Sequence, residues 1–358
     1  MSSARTGYIS PPMSGKTVRR GLGADLSRLP RAQRQQIYRR RRAAALALGV
    51  VGLLLVMAIA SSGGGGTATA DKDLLQLPRG GRQILPRARV VAFYGAPQDP
   101  QLGVLGETDL KQATAKLAAQ ARGYERPGRP VLPAIELIST LAQAAPGNDG
   151  LHRLRQSDQT IRRYLAAARA SKSLLVLDIQ PGHADFMEEV RALEPYLVQP
   201  DVSLALDPEW KTPAGVQPGK QIGSTDAATV NEVSGYLAGI VRARNLPQKL
   251  LILHQFTETM ITDRDSIVPR DGLAIVNNID GFGTEPLKKG VYHQLANPAP
   301  PPRQAAPNTD DTELSATQVT QQPHRFNGFK LFYHEDTGLM SPAAVLGLSP
   351  APDVVVYE

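Results

Sequence analysis

The chain has 358 residues, 42% of them hydrophobic, which is enough for one large core. It has no cysteine, which excludes disulfides, thiol catalysis, cysteine-ligated metal sites and a lipoprotein anchor. The net charge of +7 is concentrated at one end: residues 1–42 hold ten Arg and one Lys against Asp25, so residues 43–358 carry −3, and the high pI gives no support to nucleic-acid binding by the folded part.

In chain order, residues 1–42 are Arg-rich with scattered Gly, Ser and Pro, and read as a disordered basic tail. Within it, RAQRQQIYRRRR (31–42) reads as a topogenic signal, or else as a short basic helix on an anionic inner leaflet. Residues 43–60, AAALALGVVGLLLVMAIA, are 18 residues with no charge and no proline. That is near the short end of the range of about 17–25 that spans a bilayer, and predicts a single transmembrane helix. The flank Arg39–Arg42 predicts a cytoplasmic N-terminus and an extracellular C-terminal domain. The rival reading is a cleaved signal peptide ending at AIA, for which the preceding 42 residues are too many. SSGGGG opens a linker and lead-in over 61–89.

Eight strand-like runs follow: VVAFYG (90–95), VLPAIELI (131–138), SLLVLDIQPG (173–182), VSLALDPEW (202–210), KLLILHQF (249–256), GLAIVNNIDGFG (272–283), NGFKLFYHED (327–336) and DVVVYE (353–358). Most begin apolar and end on Asp, Glu, His, Gln or Tyr. Helical patterns lie between them at 108–124, 157–172, 185–197, 224–245 and 285–296, with a weaker piece at 258–266. The first is expected to start at a Thr cap. Strand–helix alternation predicts a parallel sheet. Eight repeats over about 270 residues predict an α/β fold, a (β/α)8 barrel over 90–358, with a doubly wound open sheet as the alternative. Residues 297–325 are Pro-, Gln- and Thr-rich without periodicity and are expected to be an insertion. No helix is expected after the last run, and residues 67–89 are expected to fill that gap in the helical ring.

Strand side chains alternate faces. This places Glu136, then Asp178 and Gln180, then Asp207 and Glu209, and then Asn278 and Asp280 on inward faces, with Leu204 and Leu206 outward. On the seventh run it pairs Tyr333 with Glu335, against Phe332 and His334. Several acids therefore converge on one barrel mouth, where like charges raise one another's pKa. Each acid taken singly can instead cap a loop, and Trp210 can be a packing residue.

Two carboxylates with aromatic and amide neighbours are the minimum for glycoside hydrolysis. On LDPEW and FYHED the chain resembles TIM-barrel glycoside hydrolases, an architectural resemblance over about 270 residues. It departs from them in having Pro208-Glu209 where Asn-Glu is common and in lacking the DxxDxDxE pattern. The resemblance implies Glu209 as acid/base and Glu335 as nucleophile, with Asp207 and Asp178 in support. Substrate contacts are expected from Tyr94, Glu136, Trp210, His254, Gln255, Asn278, Asp280 and Tyr333. The expected function is a bacterial, membrane-anchored glycosidase acting on cell-envelope or extracellular polysaccharide, with no cofactor and no metal. A non-catalytic glycan- or partner-binding barrel is the alternative. A metal-dependent hydrolase using His183, His254 and His334 with Asp178 and Asp280 is a third, although an HxH signature on the first run is missing. No GxSxG elbow supports serine catalysis.

Overall fold

The computed structural model describes residues 74–298 and 325–358. The basic tail, the predicted anchor at 43–60, most of the lead-in and nearly all of the predicted insertion lie outside the described residues. Among those described, no helix is long and apolar enough to cross a membrane.

All eight predicted strands are present: β1 Arg89–Gly95, β2 Val131–Ala142, β3 Leu174–Ile179, β4 Val202–Leu206, β5 Lys249–Gln255, β6 Leu273–Ile279, β7 Phe326–Leu331 and β8 Val354–Tyr357. Each pairs in parallel with the next, and β8 pairs with β1, Val90 opposite Val354, to close the barrel. The open-sheet alternative is thereby removed. The main helices between strands are α1 Leu110–Arg122, α2 Asp158–Ala170, α3 Phe186–Ala192, α4 Ala227–Ala243, α5 Glu285–Leu295 and α6 Pro342–Leu346. β2 runs past its neighbours, shifts register between Ile138 and Thr140, and pairs antiparallel with a short strand Arg153–Arg155.

Both faces of each strand are buried, as a parallel barrel requires. Outward residues such as Phe93, Leu177, Leu204, Leu251, Ile275 and Phe329 join the helices in one apolar layer. Inward residues, including Ala92, Ala134, Val176, Ala205, Ile252 and Ala274, form a second cluster inside. Alanines alternate there with larger residues such as Leu174, Leu250 and Ile252, because eight strands leave room for only a few side chains per layer. Gly328 is the extreme case: a Cβ there would lie 2.4 Å from Oδ1 of Asn278.

Several expectations are corrected. Asp109, not Thr108, caps α1, accepting from the amide of Gln112. The pattern at 185–197 is two helices, because Leu193 ends α3 and Pro195 lets a new turn start over Glu194–Leu197. The piece at 258–266 is two 3-10 turns, Glu258–Met260 and Arg264–Ser266. β7 ends at Leu331, before the polar tail of its run. The described part of the lead-in does not fill a gap in the helical ring. It closes the barrel floor: Leu77, Ile84, Leu85 and Ala88 pack into the inner cluster. The amides of Ile84 and Leu85 donate to Oε1 of Gln248 at 2.8 and 2.9 Å, just before β5. Arg82 reaches Asn245 and Leu246 at the same end. The outside of β8 is covered by α1, whose Gln120 donates to the Tyr357 hydroxyl at 2.7 Å, and Tyr124 bonds that hydroxyl at 2.6 Å.

Candidate functional site at the barrel mouth

At the carboxyl ends of the strands the inner lining changes from apolar to charged. The deepest polar layer is Glu136, Asp178, His254 and Asn278, all fully buried. His254 sits between carboxylates, with Nε2 3.1 Å from Oε1 of Glu136 and Nδ1 3.0 Å from Oδ2 of Asp280. The Tyr94 hydroxyl donates to Oδ2 of Asp178 at 3.0 Å and accepts from Gln180 at 3.1 Å.

Above this floor lies a cavity of about 520 Å³, within the range of small-molecule sites. Asp207, Asp280, Lys330, Glu209, Glu335 and Glu358 supply its charge, and Trp210, Phe256, Phe282 and Phe332 supply apolar walls. Lys330 is buried, 3.7 Å above the Tyr94 ring centroid, and pairs with Glu358 at 2.6 Å. Burial opposes its charge, but Glu358, Asp280 and Asp207 outweigh burial and raise its pKa.

The acids are perturbed in the way that acid–base chemistry uses. Burial, reinforced by Asp280 and Glu358 against the opposing charge of Lys330, pushes Glu209 up to about 7. Burial likewise holds Asp207 well above the usual carboxylate range, with Asp178 and Glu209 adding to it and His254 opposing. Asp178 is pushed up to about 6, by burial first, with His254 opposing and Glu136 reinforcing. For His254, burial alone would lower the pKa; the hydrogen bonds from Asp280 and Glu136 reverse that and raise it well above the ordinary value. Oδ1 of Asp207 and Oδ1 of Asp280 are buried without a hydrogen-bond partner on the cavity wall.

Glu209 is carried on a tight turn rather than on β4. Pro208–Trp210 form one 3-10 turn, and the amide of Gly223 donates to the Glu209 carbonyl at 2.6 Å. A Cβ at Gly223 would meet the carbonyl oxygens of Lys211 and Glu209 at 2.4 and 2.6 Å. Only glycine lets the following loop close down on the turn that aims Glu209.

Of the twelve predicted site residues, Tyr94, Asp207, Glu209, Trp210, Asp280 and Glu335 line the cavity. Glu136, Asp178, His254 and Asn278 form its floor. Glu335 is solvent-exposed at the rim, in the loop after β7. Two residues point elsewhere. Gln255 faces out of the barrel, donating to the Thr257 carbonyl and accepting from Arg264. Tyr333 packs on the outside, stacked on Tyr357 at 5.3 Å and edge-on to Phe93 at 6.4 Å. Counting the alternation from Phe326 places Gly328, Lys330 and Phe332 inward and Tyr333 outward, the reverse of the sequence expectation. Lys330, Phe332 and Glu358 were therefore missed, although the period of two in FNGFKLF and VVVYE carries the signal.

His183 and His334 do not join His254. His183 Nε2 lies 2.9 Å from the Val216 carbonyl, and His334 is exposed beside Glu107. No protein-family model matches the chain, and no curated protein matches it.

Proposed function

We propose that the barrel mouth hydrolyses glycosidic bonds in cell-envelope or extracellular polysaccharide, with Glu209 as general acid and Asp280 as its carboxylate partner. One observation carries the reading: Glu209 and Asp280 line one cavity, and burial together with the charge of Asp280 raises Glu209 to about 7. A carboxyl group with that value still holds its proton near neutrality and can give it to a leaving oxygen. Asp280 is fixed by His254 through Oδ2 and keeps Oδ1 free toward the cavity. It attacks the anomeric carbon or activates water. Asp207, two residues before Glu209, has its pKa raised by burial and lines the same cavity, within reach of a bound sugar. Trp210 and Phe332 give apolar faces for the ring. The pairing of Glu209 with Glu335 implied by the sequence resemblance is the weaker one, since Glu335 is exposed at the cavity rim. The same reading has the barrel exported and tethered through residues 43–60, so that it meets its polymer outside the membrane. Sedimentation of the full chain with membranes after a high-salt wash tests the tether.

The test of the chemistry is release of reducing ends from wall and secreted polysaccharides by the full chain. E209Q and D280N are expected to lose at least about a hundredfold in kcat/KM, the usual worth of one general acid or base, while E335Q stays within about threefold. Unchanged turnover in E209Q sinks the assignment. Glycan binding without turnover in the unaltered protein would instead make this a non-catalytic glycan-binding barrel.

A further inference from the structure

At the cavity floor, β2, β3 and β5 bring Glu136, Asp178 and His254 together, each with no solvent exposure. Nε2 of His254 is 3.1 Å from Oε1 of Glu136 and 3.8 Å from Oδ1 of Asp178. One donor atom from each of the three residues lies within 4.8 Å of the other two. Two nitrogen or oxygen ligands held about 2.1 Å from one ion are about 3.0 Å apart at a right angle and about 3.4 Å apart in a tetrahedron. The Glu136–His254 pair has the spacing of two donors on one ion, and the Asp178 oxygen at 3.8 Å stands farther out and would draw in on binding.

Independent observations point to a ligand there. Oε2 of Glu136 and Oδ1 of Asp178 are buried and have no hydrogen-bond partner. A buried carboxylate oxygen left without a partner is costly. The other half of each group is already used. The Tyr94 hydroxyl occupies Oδ2 of Asp178, and Oε1 of Glu136 faces His254. His254 also has the support that a metal-bound imidazole usually has, with its second nitrogen held by a carboxylate, here Asp280 at 3.0 Å. Glu136, Asp178 and Asp280 are buried around His254, and the ammonium of Lys330 is engaged with Glu358.

We propose that Glu136, Asp178 and His254 bind one divalent first-row transition-metal cation, Zn2+ or Mn2+, admitted through the cavity. Two carboxylates and one imidazole, with no thiolate, favour an ion between the hard alkaline-earth cations and the thiophilic ones. Nδ1 of His254 keeps its proton and its bond to Asp280, while Nε2 releases to solvent the proton it shares with Oε1 of Glu136 and turns the freed lone pair to the ion. This revises the metal-free barrel expected from the sequence, and it stands whether or not the site cleaves glycans.

The untagged full chain, stripped with EDTA and dialysed, is titrated with ZnCl2 and separately with MnCl2, followed by calorimetry and thermal melting. About one ion per chain is expected, with a melting temperature raised by about 5–10 °C at a hundredfold excess over Kd. The isosteric variants E136Q and D178N are expected to lose that rise, while E232Q, altered at an exposed position, keeps it. Pulsed electron paramagnetic resonance of the Mn2+ form of the unaltered protein is expected to show one coordinated imidazole nitrogen, and this holds even if a variant fails to fold. No uptake at millimolar ion, uptake undiminished in both variants, or no nitrogen coupling would each overturn the site.

Discussion

Glu209 illustrates how the environment sets a residue's chemistry. Its carboxyl group is ordinary in the unfolded chain and is raised to about 7 by burial and by Asp280 and Glu358. If the protonated form is the acid, kcat/KM falls as pH rises through about 7, since the proton to be donated is lost there. Glu358→Gln removes a negative charge that favours protonation, so the basic limb of that profile is expected to move to lower pH. Lys330→Met removes a positive charge that favours ionisation, so the limb is expected to move to higher pH. A limb that stays in place in both variants would show that a different group is titrating. Lys330 keeps the period of two set by Phe326 and Gly328, so its inward side is legible, but its partners are not, because Tyr94, Glu358, Asp280 and Asp207 come from distant parts of the chain.

At the level of elements, the strands were the most legible part of the chain. All eight were readable because each carries an apolar run, most of them with a polar end, and closure of a parallel barrel buries both faces of every run. What the runs did not reveal is where pairing stops. The polar tails at 207–210 and 332–336 lie beyond β4 and β7, where strand alternation no longer governs: Tyr333 packs outside on Tyr357, Glu335 reaches the cavity only at its exposed rim, and Asp207, one residue past β4, lines the wall. The turn that follows depends on the close approach of Gly223. Gly223→Ala forces the loop off the Glu209 carbonyl, and a displacement of about 1 Å at a reacting group costs about a hundredfold in rate. A loss of that size with a nearly unchanged melting temperature is expected. Full activity would show that the turn tolerates the shift.

For the whole molecule, chemistry and stability are separated along the barrel axis. The floor formed by Leu77, Ile84 and Leu85 lies at the amino ends of the strands, and the charged mouth at their carboxyl ends. Leu85→Ala is expected to cost about 2–5 kcal/mol, as leucine truncations in cores do, and to lower the melting temperature while leaving KM unaltered. A change in KM would show that the two ends communicate. The sequence could not disclose this floor, because its contacts to Asn245 and Gln248 join residues more than 160 positions apart, and no periodicity records such a distance.

The pairing of β1 with β8 has a consequence for self-association. An open sheet presents two edges whose free amides and carbonyls can recruit strands from other molecules. Here the first and last barrel strands saturate each other along Val90–Phe93 and Val354–Tyr357, so the eight strands leave no such edge. Removing residues 353–358 would expose β1 and β7 together. The truncated chain is expected to sediment as large oligomers at concentrations where the intact chain stays dispersed.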